Sequence, residues 1–235
     1  MNSPLYLARA LVPYEVAVKR GMTDPYIWHQ RAWDAFPGRD KDKRNFLTRL
    51  EAKNEHFQCV ILAHSEPKKP DWCPTDGWQV KEVPDAFFNH EHFDFSLLAN
   101  PTRKLVTRDP TTGRRIGEGK RIAITNREDE PDQKHPGKNR LGLLTWLKRR
   151  GDDNGFTFDS DEVATNSPPF RKFLKGKHTV TLHAVDFRGR LRVTDPAKFR
   201  AIFHGRPDPA ESGRLVLGLG SAKGFGFGLL MVVPR

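Results

Sequence analysis

Phe46-Leu47-Thr48-Arg49-Leu50-Glu51-Ala52-Lys53-Asn54-Glu55-His56-Phe57-Gln58-Cys59-Val60-Ile61-Leu62-Ala63 reads as two strands back to back. Residues 46–51 and 57–63 are the strands, and the polar stretch 51–55 is the turn between them. Upstream, Thr23-Asp24-Pro25 opens a helix, with a capping side chain and a proline in the first turn. That helix runs to about Phe36 and stops at Pro37-Gly38. At 100° per residue, Trp28, Ala32 and Ala35 share one face, read as core-facing. Tyr26, His29, Gln30 and Trp33 lie roughly opposite, and Tyr26 and His29, at i and i+3, are neighbours. Before the helix, residues 4–12 read as a first strand. After the two strands come a proline-rich stretch at 67–76, a short helix or loop, and then a strand at 79–83. Strand, helix, two strands, weak helix, strand is the order of a ferredoxin-like βαββαβ unit.

The same order recurs downstream. Residues 93–99 begin it, and Leu143, Leu144, Trp146 and Leu147 form the inner face of a helix over about 141–150. Residues 156–163 and 178–185 read as strands, 187–193 as a continuing hairpin, and Asp195-Pro196 caps a helix through His204. The fold expected is therefore α+β: two tandem ferredoxin-like, or RRM-like, βαββαβ domains with a C-terminal glycine-rich loop. The expected domains are residues 1–90 and 91–235. Element order alone supports the repeat.

The loop is Gly218-Leu219-Gly220-Ser221-Ala222-Lys223-Gly224-Phe225-Gly226-Phe227-Gly228. Glycine lets backbone N–H groups come close to a ligand, and successive N–H groups form an anion-binding concavity. Lys223 adds a charge, so the natural ligand is phosphate, with Gly220, Ser221 and Gly224 lining the loop. A Walker loop is excluded because Lys223 precedes Gly224 and a strand-like run follows. A dinucleotide fingerprint is excluded because it needs a following helix and a later acidic residue.

The 235-residue chain has a net charge of +11 and a pI near 9.8. That balance points to a polyanionic partner, nucleic acid first. Residues 101–121 read as a long hairpin turning at Asp109-Pro110-Thr111-Thr112-Gly113. It carries Arg103, Lys104, Arg108, Arg114, Arg115, Lys120 and Arg121 against Asp109 and Glu118, a basic ribbon suited to phosphates. Arg188, Arg190 and Arg192 alternate along one strand, and the first two join the candidate RNA contacts. No apolar run approaches a membrane span, and no signal peptide opens the chain. Two cysteines make no disulfide framework, so a cytoplasmic location is expected. Cys59 reads as core. His56, Cys59, His64 and Cys73 lack zinc-finger spacing, and no metal or other cofactor is expected.

With His29 on its helix and the glycine loop at the end, the chain resembles the CasE endoribonucleases, the RAMP-type CRISPR RNA-processing subunits of type I-E Cascade. The matching stretches are residues 26–37, 46–51, Leu98-Ala99-Asn100-Pro101, Gly119-Lys120-Arg121, Val180-Thr181-Leu182 with 187–191, and 218–230. The resemblance implies two tandem ferredoxin-like domains. It also implies metal-independent cutting of CRISPR repeat transcripts at the 3′ base of the repeat hairpin, leaving 5′-hydroxyl and 2′,3′-cyclic phosphate ends. The enzyme then stays on the guide RNA among other Cascade subunits. Tyr26 and His29 match the family's active-site pair, and Arg31 in the same stretch is a candidate RNA contact. Ser221 stands where the family often has a basic residue, leaving Lys223 as the loop's sole cation. The chemistry fits the residue types. Histidine titrates near working pH and can take or give a proton. A phenol, titrating near 10, serves better to orient the 2′-hydroxyl or phosphate. Lys223 and loop N–H groups can stabilise the extra transition-state charge. The competing expectation is a non-catalytic hairpin-RNA-binding scaffold subunit.

Overall fold

The computed structural model of the chain describes residues 3–38, 44–104, 109, 111–114, 116, 121–131, 139–168, 171–175, 177–208 and 211–235. Its elements are, in order, β1 (Tyr6–Pro13), α1 (Tyr14–Lys19), α2 (Pro25–Ala32), β2 (Phe46–Ala52), β3 (His56–Ala63), β4 (Trp78–Glu82), β5 (His92–Ala99), β6 (Thr102–Lys104), β7 (Arg121–Ala123), β8 (Glu130–Pro131) and β9 (Asn139–Arg140). There follow α3 (Leu143–Asn154), β10 (Phe156–Thr157), β11 (Ala164–Asn166), β12 (Arg171–Lys175), β13 (His178–Leu182), β14 (Val185–Val193), α4 (Pro196–His204), β15 (Arg206–Asp208), β16 (Glu211–Val216) and β17 (Leu230–Pro234).

Two antiparallel sheets carry the architecture. The first has the order β2-β3-β1-β4 and the second β10-β14-β5-β17, with β11 also on β14. In both, the last strand of the unit pairs with the first, and the third strand lies between the first and second. This is the ferredoxin-like arrangement expected from the sequence, present twice. The first unit departs from the ideal at its second crossover. Residues 67–76 are too rich in proline to sustain a helix, and only a 3₁₀ turn at Thr75–Gly77 forms. Buried Trp72 and Cys73 pack there against the first sheet's core. The sequence reading also missed α1, a six-residue helix after β1.

Period-two alternation sets what each face of the first sheet meets. Ala8, Ala10, Cys59, Ile61 and Phe46 point to α2 and the 3₁₀ turn that continues it, where Trp28, Ala32 and Ala35 are buried as the helical spacing predicts. Leu7, Leu47, Val60 and Leu62 point the other way, into a core shared with the second sheet. Arg49 lies on that inner face and is 3% exposed. It donates to Glu51 at 2.7 Å, to the Ser96 carbonyl at 2.9 Å and hydroxyl at 2.7 Å, and to Asp186 at 3.2 Å. One buried guanidinium thus joins β2 to β5 and β14.

In the second half two expected strands need correction. Residues 178–185 are not one strand leading into a hairpin. His178–Leu182 pairs with Arg171–Lys175 as a separate ribbon, and Val185–Val193 is a long sheet strand beside β5. The break falls at His183 and Ala184, both buried, where the chain passes from ribbon to sheet. The strand expected over 156–163 is likewise split by a 3₁₀ turn at Ser160–Glu162. The helices α3 and α4 form as expected, and α3 runs on to Asn154 before Gly155 ends it in the left-handed region. No described helix is long and apolar enough to cross a membrane.

Candidate active site

The start of α2 is fixed by its cap. Asp24 accepts hydrogen bonds from the Tyr26 and Ile27 N–H groups at 2.8 and 3.0 Å, and Pro25 takes the first turn, where no N–H is needed. Trp28 and Ala32 then face the first sheet. Tyr26 and His29, one turn apart, face the glycine loop and β12. The sequence reading placed this pair away from the apolar seam. The structure adds that they meet a second aromatic group. The Tyr26 ring stacks on Phe173 of β12 with centroids 6.1 Å apart and planes 4° from parallel. Phe225 of the loop lies 6.4 Å from Tyr26, 6.2 Å from His29 and 4.8 Å from Phe173. Phe46, at the start of β2, supports His29 from the other side at 6.4 Å. Three distant segments therefore hold the two side chains.

The loop is a closed structure. The Leu219 N–H donates to the Gly228 carbonyl at 2.9 Å, and the Gly228 N–H to the Leu98 carbonyl at 2.8 Å. Gly218 is at φ +64, and a Cβ there would run into the Gly228 carbonyl, so no larger residue fits. Ala222 holds the left-handed conformation at φ +60 and starts a 3₁₀ turn, Lys223–Phe225, that packs on α2 and β2. Ser221 is turned inward. Its hydroxyl donates to the Asn100 carbonyl at 3.1 Å and accepts from Asn100 Nδ2 at 3.4 Å, while Asn100 Oδ1 accepts the His183 N–H at 3.1 Å. Asn100 is the loop's anchor. It sits in a stretch that carried the family resemblance, but composition and spacing gave no sign of this role. Burial pushes the His183 imidazole below its ordinary value.

Lys223 donates from Nζ to the Gly218 carbonyl at 3.1 Å, within the loop itself. Gly220 lies against the Trp146 ring, not against His29. Gly224 is the loop residue at the histidine: a Cβ on it would stand 3.5 Å from His29 Nε2 and 2.9 Å from Arg44 Nη1. The sequence reading overlooked Arg44. Its only signal was its place, two residues ahead of the β2 strand.

The other candidates are spread over the surface. Arg31, on the opposite side of α2 from His29, pairs with Asp34 at 3.6 Å and is half exposed. Arg103, Lys104 and Arg121 are brought together on β6 and β7, with Lys104 opposite Arg121. The turn beyond them forms where expected: Asp109 N–H donates to the Arg114 carbonyl at 2.8 Å, and Asp109 Oδ1 accepts from Thr111 and Thr112. Arg114 is exposed there. Arg108, Arg115 and Lys120 lie outside the described residues. Arg188 and Arg190 stand on the exposed face of β14 as their alternation predicts, each with an acid: Arg188 on Asp186 at 2.7 Å, Arg190 on Glu162 at 3.2 Å. Arg190 pairs with Glu162, away from the residues that pack against His29. Among the described residues no group of three or more His, Cys, Asp or Glu side chains is gathered.

Fold and site together define a basic α+β protein with paired ferredoxin-like sheets and a Tyr–His pair set against a glycine-rich loop. The chain belongs to the family described as CRISPR associated protein, whose sequence model matches residues 5–234. It is 26% identical over 240 residues to the CRISPR-associated endoribonuclease Cse3 of Thermus thermophilus, covering 95% of this chain and 97% of that one. It is 23% identical over 230 residues to the CRISPR system Cascade subunit CasE of Escherichia coli, covering 98% and 100%. A structure of Thermus thermophilus Cse3 bound to an RNA representing a pre-cleavage complex superposes with a TM-score of 0.64 at 25% identity, over 98% of this chain and all of that one.

Proposed function

We propose that this protein is a metal-independent endoribonuclease that cuts CRISPR repeat transcripts at the 3′ base of the repeat hairpin and then holds the guide RNA within a Cascade complex. The observation that carries this reading is the convergence of Tyr26, His29 and the Gly224 backbone from segments nearly 200 residues apart. The relatives named above, an endoribonuclease and a Cascade subunit, support it.

The reaction needs the 2′-oxygen upstream of the cut to attack phosphorus while the bond to the 5′-oxygen breaks. The 2′-hydroxyl loses its proton, and the departing 5′-oxygen gains one. His29 performs one of these transfers. Tyr26, held by Phe173 and Phe225, orients the sugar or phosphate. Lys223 and the loop N–H groups offset the charge gathering on the non-bridging oxygens. Arg103, Lys104, Arg114 and Arg121 give the hairpin phosphates a basic surface, and Arg31, Arg188 and Arg190 are outlying RNA contacts. We take residues 1–90 and 91–235 as the two tandem units and a cytoplasmic location as the setting. The test is incubation of the protein in EDTA with its own repeat RNA and with an unrelated hairpin. Cutting once, at the 3′ base of the repeat hairpin only, is the expected result. Tight binding without cutting would make the protein a scaffold, and loss of cutting in EDTA would make it a metal nuclease.

A further inference from the structure

Arg44 stands two residues before Phe46, just ahead of β2, and its guanidinium reaches Gly224. Phe46 is wedged among Trp33 at 4.9 Å, Phe36 at 4.8 Å and His29 at 6.4 Å, which fixes where this segment enters β2. The 3₁₀ turn of the glycine loop packs on both β2 and α2. At their meeting point is Gly224, where the position of an absent Cβ lies 2.9 Å from Arg44 Nη1 and 3.5 Å from His29 Nε2. A guanidinium and an imidazole thus face the same small volume beside the glycine loop. Lys223 has its ammonium on the Gly218 carbonyl at 3.1 Å, which sets its position from within the loop. Arginine is charged at any working pH and presents a planar fork of N–H groups that matches two phosphate oxygens, which lysine cannot do.

We propose that Arg44 is a catalytic residue of this site. Its guanidinium binds the non-bridging oxygens of the scissile phosphate beside His29 and stabilises the charge that builds there as the 2′-oxygen attacks. The proposal rests on the endoribonuclease reading above. It also gives a reason for glycine at 224. The backbone there is outside the left-handed region, so glycine is needed for the room the guanidinium takes and not for its φ.

The test is single-turnover cleavage of the repeat hairpin in EDTA by wild type, Arg44→Gln, Arg44→Lys, Gly224→Ala and the Arg44→Gln/Gly224→Ala double variant. Binding is measured separately with a hairpin carrying a 2′-deoxy sugar at the cut. Arg44→Gln is expected to slow the cleavage step about 10²–10³-fold, the usual loss for one oxyanion donor, with binding changed only a few fold. Arg44→Lys should recover part of the rate. Gly224→Ala displaces only the far end of a flexible side chain, so it should fold normally and still lose rate. The double variant should be no slower than Arg44→Gln alone. A phosphorothioate at one non-bridging oxygen should slow the wild type more than Arg44→Gln, which a merely structural role would not produce. Cleavage by Arg44→Gln at the wild-type rate overturns the proposal. So does a rate loss matched by an equal loss of binding, and so do additive losses in the double variant. Should Arg44→Gln fail to fold, Gly224→Ala cutting at full rate overturns it. A wild type that binds without cutting defeats the endoribonuclease reading instead, a result distinct from any of these.

Discussion

Replacing Arg49 with methionine tests how the two sheets are held together. Arg49 is 3% exposed, and its guanidinium meets two carboxylates, a carbonyl and a hydroxyl. Methionine keeps most of the stem and removes the charge. Breaking a buried ion pair by deleting one partner costs about 3–5 kcal/mol, because the other charge is left uncompensated. Here both carboxylates retain a second, more exposed partner: Asp186 keeps Arg188 at 2.7 Å, and Glu51 keeps Lys53 at 2.6 Å. The loss therefore belongs at the low end, about 3 kcal/mol. For a chain of this size that is a fall in Tm of about 6–12 °C. The acid side gives an independent reading. Burial raises the Glu51 carboxyl, but Lys53 and Arg49 outweigh it and hold the group below its ordinary value of 4.5. Its contribution is present above that pH and is lost as pH falls through the depressed value. Arg49→Met should weaken that acid loss. The assay is urea unfolding followed by circular dichroism at pH 7 and at steps down to about pH 2.5, below the ordinary carboxylate range. A destabilisation under 1 kcal/mol, or an unchanged acid profile, would refute the view that Arg49 joins the sheets by charge.

Asn100→Ala removes the anchor of Ser221 and leaves the His183 N–H without its acceptor; a stability loss of about 1–3 kcal/mol by urea unfolding is expected, with slower cleavage at unchanged RNA affinity. His64 and His204 stack at 6.0 Å across the join between the halves, and burial holds both below the ordinary 6.5. The unfolded chain therefore binds more protons below pH 6.5, so Tm should fall as pH drops from 7 through 6.5 and below; a double change to glutamine should flatten that slope, as thermal scans would register. Lys104→Ala with Arg121→Ala should weaken hairpin binding and reduce the salt dependence of log K by about 0.7–0.9 for each phosphate no longer neutralised, measured by filter binding between 50 and 300 mM salt.

The frame of the fold was legible because hydrophobic runs of strand length alternate with capped helices in a distinctive order. Asp24-Pro25 and Asp195-Pro196 marked helix starts through their own local chemistry, and both caps formed. What stayed hidden depends on non-local pairing. The residues 171–175 strand is defined by its partner at 178–182, and nothing in Arg171-Lys172-Phe173-Leu174-Lys175 distinguishes it from a basic loop. The proline-rich crossover at 67–76 contained no periodic signal to read. In the site, Tyr26 and His29 were legible through helical spacing and resemblance, and the loop through its glycines. Their meeting was not, since it is made by tertiary packing of Phe225, Phe173 and Phe46. Ser221 shows the limit of composition: its residue type fitted a phosphate loop, but its hydroxyl is used on Asn100.

His29 is assigned to move a proton in an attack by the RNA's own 2′-hydroxyl. The most direct measurement is cleavage of the repeat hairpin in EDTA by wild type and His29→Ala, beside wild type on a hairpin with a single 2′-deoxy sugar upstream of the cut. His29→Ala should lose about 10²–10⁴-fold in rate, the deoxy hairpin should not be cut, and both should still bind. Normal cutting by His29→Ala, or cutting of the deoxy hairpin, would contradict it.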